Sequence, residues 1–156
     1  MKSKSLLFSN YSIHRAAAAD VSFMGNGVRG RFARNASRRP DVDPDGYFDV
    51  IAHGEPQWMY VENRGQAVKV SARQAAKIIK KQPGFRKAKG VRLLSCDTGS
   101  NPEGFAQHLA NALGKPVMAP TKCVWALPNG KMWVADRRNI DKGTFIIYKP
   151  GGIKHG

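Results

Sequence analysis

Two apolar segments decide the fold: 47-YFDVIAHG-54 and 91-VRLLSCDTG-99. Each is a short run rich in β-branched, aromatic or leucine side chains, which predicts a buried strand. The first strand is expected to end at His53 and the second at Cys96, both residues with catalytic chemistry. Because ligands of parallel sheets bind beyond the carboxyl ends of the strands, these two strand ends form the candidate site.

The residues between these two segments predict a hairpin followed by a helix. Residues 58–70 hold two strand-like runs around a glycine-containing loop, as in an antiparallel hairpin. Ser71 stands at an N-cap position before an amphipathic helix over residues 72–82. A right-handed crossover through this helix brings His53 and Cys96 to the same edge of the sheet.

The pattern after Cys96 continues with a helix, a strand, a hairpin and a last strand. The helix is predicted to begin near Pro102, capped by Ser100 or Asn101, and to end at Gly114. The remaining predicted elements are a strand at 116–119, a hairpin over 124–135 and a strand at 144–148. This order predicts an α/β fold with a mainly parallel sheet, flanked by helices and carrying β-hairpin insertions.

The amino-terminal part of the chain has a different composition. Residues 1–42 contain eight basic and two acidic residues together with glycines that interrupt helical patterns, so we expect them to be loosely structured or to depend on packing against the body. Strong turn-forming sequence at 39–46 places the boundary of the compact domain there. The predicted organisation is a basic segment at 1–42, an α/β domain at 43–150 and a basic tail at 151–156.

Composition excludes several classes of protein. The 156 residues suit one domain, and no apolar run approaches the roughly 20 residues that span a bilayer. The amino-terminal apolar stretch is shorter than a signal-peptide core, so no conventional secretion signal is expected. The formal net charge of +15 has three explanations: nucleic-acid binding, binding of another polyanion, or a solvated basic surface. Aromatic residues make up 9 % and are not interleaved with the basic ones, as a base-stacking surface would require.

The pairing of a cysteine with a histidine predicts nucleophilic chemistry. A thiol with an ordinary pKa near 8.5 is a weak nucleophile at neutral pH, and a neighbouring imidazole such as His53 can take its proton. Gly54 carries no side chain, which lets a substrate carbonyl approach closely. The backbone N–H groups of Gly54 and Cys96 are the candidate oxyanion hole.

These residues also carry a resemblance to a known superfamily. His53-Gly54 after one apolar strand and Ser95-Cys96 after the next resemble the caspase-like (clan CD) cysteine peptidases, which include caspases, gingipains, CHAT domains and the self-cleaving domains of large bacterial toxins. Residues 93–99 are similar to the cysteine segment of CHAT-type members, and residues 91–133 resemble carboxy-terminal domains of bacterial polymorphic toxins. In all, the resemblance covers about residues 47–135.

The resemblance implies a fold, an activity and a biological setting. The fold would be caspase-like, and the activity that of a cysteine endopeptidase in which Cys96 and His53 form the catalytic dyad. The domain would act on a peptide or protein substrate, delivered into the cytoplasm of a target cell as part of a larger secreted bacterial toxin and matched by an immunity protein. Self-cleaving members are switched on by a highly phosphorylated inositol, which implies such an activator here. Six clustered cations are the candidate polyanion site: Lys77, Lys80, Lys81, Arg86, Lys87 and Lys89.

Two other functions remain open from the sequence. One alternative is a basic nucleic-acid-binding or nuclease toxin. The other is an inactive caspase-like module that mediates interactions. No metal site is expected, because the cysteines and histidines lack the C-x-x-C or H-x-x-x-H spacing of zinc ligands. We expect Cys123 to fill the core and His108 to lie on the surface.

Overall fold

The computed structural model describes residues 20–24 and 30–152. The strands, in chain order, are β1 (Asp20–Ser22), β2 (Tyr47–Ile51), β3 (Met59–Asn63), β4 (Gln66–Val70), β5 (Gly90–Leu94), β6 (Val117–Pro120), β7 (Cys123–Ala126), β8 (Met132–Ala135) and β9 (Phe145–Tyr148). The helices are α1 (Arg31–Ala36), α2 (Ala72–Ile79) and α3 (Phe105–Leu113).

A five-stranded sheet in the order β1-β2-β5-β6-β9 forms the centre of the protein. Strands β1, β2, β5 and β6 run parallel to one another, and β9 pairs antiparallel with β6 at one edge. The pairs β3-β4 and β7-β8 are separate antiparallel hairpins. The predicted α/β class with a mainly parallel sheet is therefore confirmed.

One face of the sheet is apolar and covered by helices; we call it the helical face. It carries Val50 and Leu93, which are fully buried, and packs against α2 and α3. Helix α2 begins at a capping box in which Ser71 and Gln74 satisfy each other's backbone N–H groups. Alternate hydrophobic positions along the strands and the 3.6-residue period of the helices bring these side chains into a single core.

The opposite face carries a row of charges; we call it the charged face. Asp20, Asp49 and Arg92 are opposite one another across β1, β2 and β5. The buried Arg39 guanidinium bonds to Asp49 at 2.7 Å and to Asp20 at 3.0 Å, and Arg92 bonds to Asp49 at 2.7 Å and to Asp41 at 2.8 Å. A smaller apolar cluster, with α1 and the β7-β8 hairpin over it, completes this face.

The sheet includes a strand that precedes the boundary predicted at residue 43. Strand β1 extends the sheet beyond β2, and Arg39 reaches back from the segment after α1 to hold it. Residues 20–24 and 30–42 thus belong to the domain through packing against its body. Predictions for residues 1–19, 25–29 and 153–156 lie outside the described residues.

Helix α3 begins later than the sequence indicated. The predicted start near Pro102 is wrong, because the Asn101 side chain accepts the Glu103 N–H and residues 101–104 form turns. The helix begins at Phe105 and ends, as predicted, at Gly114, whose φ of 71° is left-handed. Within the described residues, no helix is long and apolar enough to cross a membrane.

Candidate functional site

His53 and Cys96 follow the carboxyl ends of two neighbouring strands. The parallel pairing of β2 with β5 ends at Ile51 opposite Leu94, and the Ala52 N–H continues it with a 3.2 Å bond to the Leu94 carbonyl. His53 and Cys96 each stand two residues beyond this last pair. Because the backbones of neighbouring strands lie about 4.8 Å apart, the two predicted site residues follow adjacent ends at the same edge of the sheet.

Gly54 packs directly on the turn that contains the cysteine. A Cβ atom at this position would lie 2.3 Å from Ser95 Oγ, 2.6 Å from Thr98 Cγ2 and 2.8 Å from the Cys96 carbonyl oxygen. A side chain at residue 54 would therefore push the cysteine turn away from β2. Glycine is needed here because residue 54 packs against the cysteine turn. The role that the sequence analysis gave to Gly54, the approach of a substrate carbonyl, stays a prediction.

Internal hydrogen bonds hold the cysteine turn in shape. Asp97 has a left-handed φ of 63°, a conformation that Asp tolerates better than most residues. The buried Thr98 hydroxyl donates to the Ser95 carbonyl at 2.8 Å. From β9, the Tyr148 hydroxyl donates to the Gly99 carbonyl at 2.6 Å. The turn is thus anchored to its own strand and to the edge strand.

The Cys96 thiol is held in a partly buried environment. Its Sγ accepts the Val124 N–H at 3.3 Å, which joins the cysteine turn to β7. Burial, followed by the hydrogen bond with the Cys123 side chain, raises the pKa of the Cys96 thiol to about 12. A helix start close to the cysteine and basic surroundings would favour a thiolate. Helix α3 begins nine residues after the cysteine, and burial outweighs the surrounding charge.

The backbone around His53 forms a tight reversal. The His53 carbonyl accepts the Tyr60 N–H at 3.0 Å, and the Glu55 N–H donates to the Trp58 carbonyl at 2.8 Å. The Tyr60 hydroxyl also donates to the Glu55 carboxylate, which raises the pKa of Tyr60. His53 itself is exposed at the sheet edge.

Two backbone N–H groups beside the thiol are available. Within the described part of the chain, neither the Gly54 N–H nor the Cys96 N–H donates a hydrogen bond. Both residues are partly exposed. These are the two groups that the sequence analysis assigned to an oxyanion hole, and an incoming anionic oxygen would find both unoccupied.

An aromatic pair stands on the hairpin that contacts the cysteine. Trp125 and Trp133 lie opposite each other on β7 and β8, with ring centroids 6.4 Å apart and planes inclined by 6°. Their indole N–H groups donate to the Asp136 carbonyl and to the Asn139 side chain. The cross-strand pairing that stacks the two rings is visible only in the fold.

A family profile, that of a domain of unknown function named DUF8616, matches residues 19–134. The chain belongs to the DUF8616 family. The match runs from β1 into β8 and contains both His53 and Cys96. No curated protein and no solved structure matches the chain.

The candidate polyanion site of the DUF8616 domain lies away from the thiol. All six of its cations are exposed, and most of them surround the amino-terminal end of β5. Lys89 stands over the Tyr47 ring at 5.7 Å and is seven residues before Cys96, a distance of about 20 Å along a strand. Lys77 and Lys80 line a groove of about 420 Å³ together with Arg73. Binding of an inositol polyphosphate to these cations stays a prediction.

His108 and Cys123 lie in different environments. His108 is exposed on α3, where it lines a groove of about 520 Å³ with Trp58 and Phe105. Cys123 is buried, as expected of a core residue, but its side chain lies against Cys96. Among the described residues of the DUF8616 domain, no three His, Cys, Asp or Glu side chains converge on a point where a metal ion would bind.

Proposed function

We propose that this DUF8616 domain is a cysteine endopeptidase in which Cys96 is the nucleophile and His53 the general base. The observation that supports the proposal is the strand register: β2 and β5 are paired up to Ile51 and Leu94, and His53 and Cys96 each follow two residues later. Gly54, seated on the cysteine turn, keeps the two strand ends close. Sites in open parallel sheets form at such strand ends.

The raised pKa of the thiol decides how the nucleophile would be activated. With a pKa of about 12, Cys96 is protonated at neutral pH. His53 therefore removes the proton as Sγ attacks the peptide carbonyl, rather than holding a preformed thiolate. The carbon–sulfur bond forms, and the carbonyl oxygen becomes an oxyanion that accepts the N–H groups of Gly54 and Cys96.

The remaining steps return the site to its starting state. The imidazolium of His53 donates its proton to the leaving amine as the carbon–nitrogen bond breaks. A water molecule, deprotonated by the same imidazole, then attacks the thioester carbonyl. The carbon–sulfur bond breaks, the imidazolium of His53 returns the proton to Cys96 Sγ, and the product leaves as a carboxylic acid that ionises in solvent. No step uses another side chain as acid or base.

The resemblance to caspase-like peptidases supports the same assignment. The mainly parallel sheet, with a histidine after one strand and a cysteine after its neighbour, is the arrangement that the resemblance implied. On this basis the domain would be a toxin or effector module of a larger secreted bacterial protein. Its partners would be a protein substrate in the target cell and an immunity protein.

A second candidate function is an inactive caspase-like interaction module. The observation that favours it is the Cys96 thiol itself, whose raised pKa is the opposite of that of an activated cysteine. The two candidates differ in whether Cys96 reacts through His53, so reactivity of the thiol separates them.

The deciding experiment compares three single variants of the full chain. Cys96→Ala and His53→Ala should each lower proteolysis, or toxicity on cytoplasmic expression, by about 10³-fold or more, because the two residues act as one unit. Cys123→Ala is the control and should retain activity. Each variant should cost about 1 kcal/mol of stability or less, checked by thermal unfolding. Activity that survives Cys96→Ala would contradict the proposal.

Alkylation of the thiol tests the role of His53 without a known substrate. Iodoacetamide should modify Cys96 faster than the buried Cys123, and His53→Ala should slow that modification near neutral pH. If the pH profile of Cys96 alkylation is the same in both proteins, His53 does not activate the thiol, and the interaction-module function is then favoured.

A further inference from the structure

The two cysteines of the domain meet although they are 27 positions apart in the chain. Cys96 Sγ accepts the N–H of Val124 at 3.3 Å, which is the residue after Cys123. The Asp97 N–H donates to the carbonyl of Lys122, the residue before Cys123, at 2.9 Å. Backbone bonds on both sides of Cys123 thus hold it beside Cys96.

The spacing of these backbones suits a disulfide. Residues paired across hydrogen-bonded segments have Cα atoms about 4.5–5.5 Å apart, and disulfides join Cα atoms about 4.4–6.8 Å apart. Both thiols are free, and the Cys123 side chain lies close enough to the Cys96 thiol to contribute to its raised pKa. The backbone bonds on either side of Cys123 therefore put the two cysteines within reach of each other.

The two thiols differ in access to solvent. Cys123 is 7 % exposed, whereas Cys96 is partly exposed at the sheet edge. A soluble oxidant would therefore reach Cys96 first and leave Cys123 as the resolving thiol. An accessible cysteine beside a protected resolving cysteine is one feature of redox-sensitive pairs. Their other feature, a lowered thiol pKa, is not found at Cys96, so this thiol needs a base in order to react.

We propose that Cys96 and Cys123 form a reversible intramolecular disulfide when the domain meets a peroxide. As in the proposed reaction, His53 takes the Cys96 proton while the sulfur attacks one peroxide oxygen. The oxygen–oxygen bond breaks, the leaving hydroxide takes that proton from the imidazolium, and the products are a Cys96 sulfenic acid and water. The Cys123 sulfur then attacks the Cys96 sulfur, and the sulfenic oxygen leaves with the Cys123 proton as a second water. Both sulfurs are oxidised by one peroxide, and a dithiol reductant reverses the reaction.

The consequence of this disulfide for activity rests on the proposed function. A bonded Cys96 has no thiol to attack a carbonyl, so the oxidised peptidase would be inactive. The domain would then stay silent in an oxidising exterior and become active in a reducing cytoplasm.

The test treats reduced full-length protein with hydrogen peroxide and measures its intact mass. The wild-type chain should lose both thiol hydrogens, stay monomeric and resist iodoacetamide until a dithiol is added. Peptide mapping of the same sample should show Cys96 joined to Cys123, a result that requires no variant to fold. Cys123→Ala is the matched control, in which Cys96 should instead gain oxygen atoms.

Two results would overturn the disulfide. The first is a wild-type protein whose Cys96 gains oxygen as fast as that of Cys123→Ala. The second is a disulfide that joins two chains rather than two residues of one chain. Either result would show that Cys123 does not resolve an oxidised Cys96.

Proteolysis measured on the same samples separates this inference from the proposed function. If the disulfide is mapped but the protein is inactive even when reduced, the result supports the Cys96–Cys123 disulfide and contradicts the proposed peptidase function. Full activity of a protein that carries the mapped disulfide would contradict the redox control and equally the role of Cys96 as nucleophile. Activity that is lost on oxidation and restored by a dithiol supports both the disulfide and the peptidase function. In the control, the activity of Cys123→Ala should not be restored once its Cys96 has become sulfinic acid.

Discussion

The helical face and the charged face are built from the same strands but are held together by different forces. Along β2, Phe48 and Val50 point to α2 and α3, whereas Asp49 between them points to Arg39. The first face is stabilised by burial of apolar surface, which is non-directional and tolerates small rearrangements. The second depends on ion pairs whose geometry must be met, since an unpaired buried charge is costly.

The candidate site lies at the end of the charged face. Cys96 lies two residues beyond the end of β5, the strand that carries Arg92, and its thiol contacts the β7-β8 hairpin that covers this face. The charged face therefore helps to position Cys96, while the helical face supplies most of the core. Substitutions on the two faces should separate these contributions.

The largest effect is expected at Arg39. Arg39→Met leaves the carboxylates of Asp20 and Asp49 without their buried partner and should lower the free energy of unfolding by about 3–5 kcal/mol, measured by urea denaturation. Arg38→Met is the control: its side chain is exposed, donates only to the Pro128 carbonyl, and should cost less than about 1 kcal/mol. Equal effects of the two variants would show that the buried ion pairs do not stabilise the charged face.

The next effect is expected on the helical face, at Leu109 of α3. Leu109 is fully buried, and Leu109→Ala should cost about 3 kcal/mol through lost burial and the cavity left behind. Leu127→Ala removes the same atoms from a side chain that is 41 % exposed and should cost less than about 1 kcal/mol. Thermal unfolding measures both. If Leu109→Ala were as mild as its control, α3 would not be part of the core.

The smallest effect is a pH dependence at the exposed rim of the charged face. The hydrogen bond from Arg92 lowers the pKa of Asp41 from 3.8. A carboxyl group whose pKa is lowered by folding stabilises the native state above its unfolded pKa, and loses that contribution as the pH falls through the folded value. At neutral pH the free energy of unfolding of the wild-type protein should exceed that of Asp41→Asn by less than about 1 kcal/mol, because the Asp41 side chain is 58 % exposed. That difference should shrink as the pH falls below 3.8 and through the lowered pKa of Asp41, as followed by melting temperature. A difference that does not change with pH in this range would assign the effect to something other than the Asp41 charge.

Local patterns predicted most of the helical face. Ser71 capped α2 where expected, Gly114 ended α3, and the two predicted site strands end at Ile51 and Leu94, two residues before His53 and Cys96. These features depend on neighbours a few residues away, which a periodicity or a cap makes visible in the sequence. The start of α3 was missed because Gly104 is extended and the Phe105 N–H donates to the Pro56 carbonyl, a contact distant in sequence.

The sequence by itself determined the class of fold and the two strands that end in His53 and Cys96, since apolar runs and turn residues act locally. Only the tertiary structure decided that Arg39 joins Asp20 to Asp49, that burial keeps the Cys96 thiol protonated, and that Cys123 lies beside it. Each of these involves groups that are 10 to 27 positions apart and that meet through strand register and hairpin packing. Charge pairing and desolvation depend on distance and burial in space, and a linear pattern of residue types contains neither.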